Sequence, residues 1–180
     1  MSDRQASSSV RGALPGGQAA KKAKPGEPWE MPPIIKVYEA FGAVADGRVQ
    51  LQDDCHATVI SSDFTRTYQV ENSTDCRSIS SNDNASYWQG YLGYPAIAMM
   101  LKRGLLQARE DVIQALGKIP WKKLNRRFRG DYGRTIAEVM RTVEETTGVD
   151  HRVIEAEANA ILQALKNLAP VRGARRIQVP

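Results

Sequence analysis

The chain reads VQLQDDCHATVISSDFTRTYQVENSTDCRSIS from Val49 to Ser80. In this stretch, four short runs that mix apolar and β-branched residues with polar ones are separated by three polar turns. Such alternation is typical of half-buried strands. Strands joined by such short turns can connect only as antiparallel hairpins. The stretch therefore predicts a four-stranded antiparallel meander.

A helix is predicted on the N-terminal side of the meander. Pro32-Pro33 suits the first turn of a helix, where the missing N–H has no intrahelical partner. Apolar residues then recur at spacings of three and four, which places them on one helical face. They are Ile34, Val37, Tyr38, Phe41 and Val44. Asp46-Gly47 ends the helix, because glycine readily adopts the left-handed cap.

The rest of the chain is predicted to be helical. After helices over 96–103 and 105–116, two amphipathic segments flank Gly148, and Asp150 suits the N-cap of the second. The fold class is therefore α+β: an N-terminal helix, a four-stranded antiparallel meander, and helices ending in an αα-hairpin. Residues 31–168 are expected to form one domain. Residues 1–30 and the basic residues 169–180 are expected to be tails.

An aromatic run, YWQGYLGYP, spans residues 87–95 at the junction between the meander and the later helices. Tyr87, Trp88, Tyr91 and Tyr94 either pack over the sheet and seal the core, or form an exposed recognition surface. The junction position favours packing. A deep cavity lined by these four rings would instead favour a small-ligand protein or an enzyme.

Positive charge is concentrated in one part of the chain. Residues 102–134 carry ten basic and three acidic side chains, whereas 31–101 and 135–168 are net acidic. A basic helix over 118–129, with Trp121, Leu124 and Phe128 on its inner face, would suit nucleic-acid phosphates. The residues predicted to bind nucleic acid are Lys118, Lys122, Lys123, Arg126, Arg127, Arg129, Arg175 and Arg176. The alternative is a solvated face that balances the acidic segments.

Other chemistries lack a signature. The chain contains no nucleotide-binding glycine motif, no HExxH and no GxSxG, so no catalytic residue is assigned. Cys55, Cys76 and the two histidines match no metal-ligand spacing, so no metal or other cofactor is expected. The cysteines are expected to be reduced, and no segment of the sequence suits a membrane span.

The sequence thus predicts a cytoplasmic, non-catalytic binding module, with nucleic acid as the first candidate partner. The alternative is a protein-interaction or oligomerisation module that uses the C-terminal helical hairpin and the aromatic run.

Overall fold

The computed structural model describes residues 24–75, 77–174 and 177. A five-stranded sheet with the order β1-β2-β3-β4-β5 forms one layer. Its strands are β1 (Val49–Leu51), β2 (His56–Ile60), β3 (Thr67–Asn72), β4 (Ser78–Ser81) and β5 (Val171–Arg172). The first four pair as antiparallel neighbours, as predicted, with Val59 opposite both Val49 and Tyr68.

The core lies between the sheet and two helices, α1 (Ile35–Ala45) and α2 (Tyr94–Lys102). α2 contacts β1 to β4 on one side and α1 on another. This placement explains the composition of α2, in which Ala96 to Met100 are all within 1% of complete burial. Proline in the first turn of α2 fixes its start, as the sequence indicates.

Four further helices pack beside α1 and α2. They are α3 (Glu110–Ala115), α4 (Trp121–Arg127), α5 (Tyr132–Thr147) and α6 (His151–Leu168). α5 and α6 contact each other across a turn at Gly148, whose φ of 73° ends α5, and the Asp150 carboxylate caps α6. The predicted αα-hairpin is confirmed. None of the helices in the described ranges is long and apolar enough to cross a lipid bilayer.

The sheet is mixed rather than purely antiparallel, which corrects the sequence prediction. β5 pairs in parallel with β4, and Ser78 lies opposite Val171. The chain returns to the sheet through all the helices, and such a non-local pairing leaves no turn signal in the sequence.

The residues just before α1 also pack onto this part of the sheet. Trp29 donates its indole N–H to the carbonyl of Ile79 at 3.2 Å, and its ring lies 4.0 Å from the Arg172 guanidinium. Residues 24–30 and 171–172, which the sequence analysis assigned to the tails, therefore contact the sheet and each other. Cys76 and residues 1–23 lie outside the described residues.

Candidate ligand-binding site

A polar cavity of about 190 Å³ lies beside α1. Its wall combines side chains from α1, the turn after α1, α4, the turn between β2 and β3, β3 itself, the segment that connects β4 to α2, and the first residue of α2. Its polar lining consists of Lys36, Glu39, Arg48, Ser61, Ser62, Tyr68, Asp83, Asn84, Tyr94, Trp121, Lys122 and Asn125. Because these residues span almost ninety positions of the sequence, only the tertiary fold brings them together.

A buried ion pair forms the part of the wall contributed by α1. Lys36 and Glu39, exposed by 9% and 4%, lie one helical turn apart, and Lys36 Nζ donates to Glu39 Oε2 at 2.9 Å. Asn125 Nδ2 of α4 donates to the other carboxylate oxygen at 2.7 Å. Burial alone would lower the pKa of Lys36, but the Glu39 carboxylate, together with Tyr132 and Tyr91, outweighs burial and raises that pKa. Lys36 therefore stays charged and fixed in place.

Arg48 is the most buried cation of the site, with 2% of the residue exposed. Its Nε donates to Asp46 at 3.1 Å and its Nη1 donates to the carbonyl of Ile60 at 2.7 Å. Its Nη2 finds no hydrogen-bond partner among the described residues. A buried guanidinium nitrogen without a partner is costly, since it has lost water and gained nothing in return.

Trp121 is the second residue of the lining with an unpaired donor. It is 3% exposed, and its Nε1 has no acceptor in the described part of the chain. Gly42 of α1 allows the indole to lie this close, because a Cβ there would be 2.8 Å from Trp121 Nε1 and from the Leu116 carbonyl oxygen. Glycine at position 42 thus leaves the space that the Trp121 indole occupies.

Asn125 contributes an unpaired acceptor. Its Nδ2 must face Glu39, because an ionised carboxylate accepts and cannot donate. Its Oδ1 is then left without a partner among the described groups. The lining therefore has two unpaired donors, Arg48 Nη2 and Trp121 Nε1, and one unpaired acceptor.

Two tyrosines close another part of the wall. The rings of Tyr68 and Tyr94 meet edge to face with their centroids 6.0 Å apart. Burial raises the pKa of both phenols, so both stay neutral at physiological pH. Neutral phenols can donate or accept a hydrogen bond, but they add no charge to the site.

Lys122 belongs to the cavity rather than to the outer basic surface. Its Nζ lies 2.9 Å from Asp63 Oδ2 and donates to Thr65 Oγ1 at 2.6 Å. Partial burial would raise the pKa of Asp63, but hydrogen bonds from Lys122, Ser61 and Thr65 hold it well below its usual range. Lys122 thus ties α4 to the turn between β2 and β3.

Asp83 has a structural role beside the cavity. Its side chain accepts hydrogen bonds from Ser81 Oγ at 2.8 Å and from the backbone N–H groups of Ala85 and Ser86. These bonds start the π-helical turn at Ala85–Gln89. Gly93 leaves the space for this carboxylate, because a Cβ there would lie 1.9 Å from Asp83 Oδ1.

The structure divides the predicted nucleic-acid-binding residues. Lys118, Lys123, Arg126, Arg127 and Arg129 are exposed. Lys122 is half-buried in its ion pair, and Arg175 and Arg176 lie outside the described residues.

The predicted aromatic surface is divided as well. Trp88 is 58% exposed and meets Tyr87 edge-on at 4.7 Å, whereas Tyr91 and Tyr94 are half-buried. Only Tyr94 reaches the cavity. The cavity is therefore not the pocket of four rings that the sequence analysis considered. The protein-interaction alternative stays a prediction, with the exposed Trp88 beside the half-buried Tyr87.

Sequence reasoning missed most of the cavity. The signal that could have indicated it is the pair Lys36 and Glu39, the only charged residues in an otherwise apolar α1. Charges placed among residues that must be buried require partners, and those partners commonly mark a functional site. Arg48 has no comparable signal, because one arginine after a helix usually faces solvent.

Comparison with known proteins supplies one relationship. A protein-family model described as "Uncharacterised conserved protein UCP014422" matches residues 29–171. No curated protein and no solved structure matches the chain. All the residues that line the cavity lie within the matched range.

Proposed function

The chain belongs to the family that this model describes, and on that premise we propose that it is a binding protein for a small organic anion held in the cavity beside α1. The observation that carries the proposal is that two residues lining one cavity, Arg48 and Trp121, each have a buried donor, Nη2 and Nε1, without a partner among the described residues. An anionic oxygen atom is the group that best satisfies such donors.

The guanidinium of Arg48 is the part of the cavity that supports an anion. Each of the three cations contacts a carboxylate, since Lys36 is paired with Glu39, Lys122 with Asp63 and Arg48 with Asp46. Arg48 uses Nε for Asp46 and Nη1 for the Ile60 carbonyl, which leaves Nη2 as a buried donor without a partner among the described residues. A carboxylate or a phosphate is the partner that arginine binds most strongly.

The unpaired acceptor refines the ligand class. Asn125 Oδ1 requires a donor, and a hydroxyl or amino group on the same ligand would supply one. The cavity, at about 190 Å³, is smaller than pockets for drug-sized ligands, which begin at about 300 Å³. The proposed ligand is therefore a short hydroxy acid, amino acid or similar anion.

The proposed activity is binding without catalysis. Both Glu39 carboxylate oxygens accept hydrogen bonds, from Lys36 and Asn125. Asp83 is occupied by Ser81 and two backbone N–H groups. Neither carboxylate is left open as a general base toward a ligand.

Titration calorimetry of the full chain with lactate, succinate and phosphate at constant ionic strength tests the proposal. We expect at least one of these anions to bind, and we expect Trp121→Phe to weaken that binding roughly tenfold or more, because one hydrogen bond to a charged group is lost. Trp88→Phe is the matched control, since the same change at an exposed position should leave affinity unchanged.

Native mass spectrometry of the purified chain completes the test, because an unknown ligand can remain bound during purification. A chain that binds none of the three anions and carries no small-molecule adduct contradicts the proposal. Equal loss of affinity in Trp121→Phe and Trp88→Phe contradicts it as well, because the cavity would then not be the site.

A further inference from the structure

Two arginines converge on one aromatic ring where α4 meets α5. The guanidinium carbons of Arg127 and Arg134 each lie 5.2 Å from the centroid of the half-buried Phe128 ring. The ring holds both groups through cation–π attraction, although their like charges repel. An anion bound near both groups would offset part of their positive charge.

The outer face of α4 adds more positive charge beside this ring. Lys123, Arg126 and Arg127 recur at spacings of three and four, so they share one helical face. All three are exposed, and Trp121 of the same helix is buried. Arg129 follows just after the helix and is also exposed.

Little negative charge balances these groups. Asp131 is the only carboxylate between residues 118 and 134, and its side chain caps α5 by accepting from the Arg134 N–H at 3.1 Å. Glu138 lies 3.9 Å from Arg127 but closer, at 3.3 Å, to Arg141. No ion pair within the described ranges joins Lys123, Arg126 or Arg129 to a carboxylate.

We propose that this corner binds the phosphate backbone of single-stranded nucleic acid. The basic corner is defined as Lys123, Arg126, Arg127, Phe128, Arg129 and Arg134. Several cations that are close together and poorly balanced gain affinity for a polyanion through counterion release. Arginine planes also stack on unpaired bases, which favours single strands over a duplex whose bases are covered.

The structure favours nucleic acid over an anionic membrane surface. A helix that lies on a membrane inserts exposed apolar side chains between the lipids. In the part of the chain that the structure describes, the large exposed apolar residues are Met31, Leu51, Phe64, Trp88 and Leu105, and none of them belongs to the basic corner. The apolar residues of α4, Trp121 and Leu124, pack against the protein core instead.

Compared with the residues predicted from sequence, the basic corner leaves out Lys118 and Lys122 and adds Phe128 and Arg134. It also leaves out Arg175 and Arg176, which lie outside the described residues. Lys122 is paired with Asp63, whereas Arg134 is brought to Phe128 by the tight turn at Gly130, whose φ is 79°. The proposal is independent of the cavity, so failure of one does not affect the other.

Fluorescence anisotropy with a labelled 20-nucleotide oligouridylate at several salt concentrations tests this surface. We expect the wild-type chain to bind at low salt and to lose affinity as salt rises. A variant carrying Lys123→Gln, Arg126→Gln and Arg129→Gln should lower the slope of log K against log salt by about 2, at about 0.7 per lost phosphate contact on a single strand.

The matched control removes three positive charges elsewhere, with Lys102→Gln on α2 and Arg152→Gln and Lys166→Gln on α6. This control should keep most of the wild-type slope of log K against log salt, because it lowers the net charge but leaves the basic corner intact. Absence of binding at low salt overturns the proposal, as does an equal effect of the two triple variants. Binding to phosphatidylserine vesicles but not to oligouridylate overturns it in favour of a membrane surface.

Discussion

Glu39 and Asn125 are joined across 86 positions of the sequence by a hydrogen bond of 2.7 Å between Asn125 Nδ2 and Glu39 Oε1. This bond ties α4 to α1, and Lys36 completes the group from the preceding turn of α1. The same contact turns Asn125 Oδ1 away from Glu39 and leaves it unpaired. One buried carboxylate therefore joins two helices and determines that the unpaired atom of Asn125 is the acceptor Oδ1.

Removal of that carboxylate is expected to destabilise the fold. Glu39→Ala leaves Lys36 buried without a counterion, which costs about 3–5 kcal/mol for a buried pair. The double variant Lys36→Met, Glu39→Leu should recover much of that loss, because it leaves no unpaired charge. Urea unfolding measures the free energy of each variant.

Glu145→Ala is the control for this comparison. Glu145 forms an exposed ion pair with Arg141, and such pairs contribute at most about 1 kcal/mol. If Glu39→Ala is no less stable than Glu145→Ala, the buried Lys36 does not need Glu39 as a counterion.

Gly93→Ala is expected to displace Asp83. The added Cβ would lie 1.9 Å from Asp83 Oδ1, so the carboxylate must leave the N–H groups of Ala85 and Ser86. Overpacking of this kind costs about 1–3 kcal/mol. Thermal unfolding measures the loss, and Gly26→Ala is the control for space, because a Cβ at Gly26 meets no atom within 4 Å. Gly26 has a φ of 83°, so alanine at this position adds backbone strain of its own. This strain must be subtracted from the loss measured for Gly26→Ala before the two variants are compared.

The parts of the fold that depend on local signals could be predicted from the sequence. The turns at Asp53, Asp63 and Asp75 fix the meander because each closes a hairpin within a few residues. Asp150 and Gly148 mark helix ends for the same reason. These signals act over a few residues and do not need the rest of the chain.

The cavity and β5 could not be predicted, because both depend on distant residues. Arg48 and Trp121 are 73 positions apart, and no periodicity relates them. The two residues of β5 are too few to show alternation. The sequence placed Lys122 on the basic face because its nearest neighbours are basic, but Asp63, which pairs with it, lies 59 positions earlier.

The turn between α5 and α6 is expected to respond to pH through His151. Its Nδ1 lies 2.8 Å from Glu144 Oε1, and this hydrogen bond raises the pKa of His151 above 6.5. The raised pKa means that the protonated histidine stabilises the folded state below pH 6.5 and that this contribution is lost as pH rises through the folded-state pKa. Hydrogen bonds from His151 also lower the pKa of Glu144 below 4.5. The Glu144 carboxylate therefore contributes to the stability of the folded state at higher pH, and this contribution is lost as pH falls through the lowered pKa.

Proton NMR titration of the two histidines tests this prediction, and the signal that is missing in His151→Gln is assigned to His151. We expect His151 to titrate above pH 6.5 in the wild-type chain and closer to 6.5 in Glu144→Gln. An unchanged His151 pKa in Glu144→Gln would contradict the role of the carboxylate. The melting temperature of the wild-type chain relative to His151→Gln should be higher at about pH 5.5 than at about pH 8.5.

Trp29 is expected to fix the segment before α1 to the sheet. Its indole N–H donates to the Ile79 carbonyl, and its ring packs against Arg172, which itself donates to the Gly90 carbonyl at 2.6 Å. Trp29→Ala should cost about 2–3 kcal/mol, less than the loss of a fully buried tryptophan. Trp29→Phe keeps a ring under Arg172 but loses the N–H donor, so it should cost about 1 kcal/mol.

The two Trp29 variants separate ring packing from hydrogen bonding, and Trp88→Ala controls for the loss of a tryptophan as such. Because Trp88 is 58% exposed, we expect its removal to change the free energy of unfolding by no more than about 0.5 kcal/mol. Urea unfolding of all three variants makes the comparison. If Trp29→Ala is as stable as Trp88→Ala, the contacts of the Trp29 side chain with Ile79 and Arg172 do not hold this segment to the sheet.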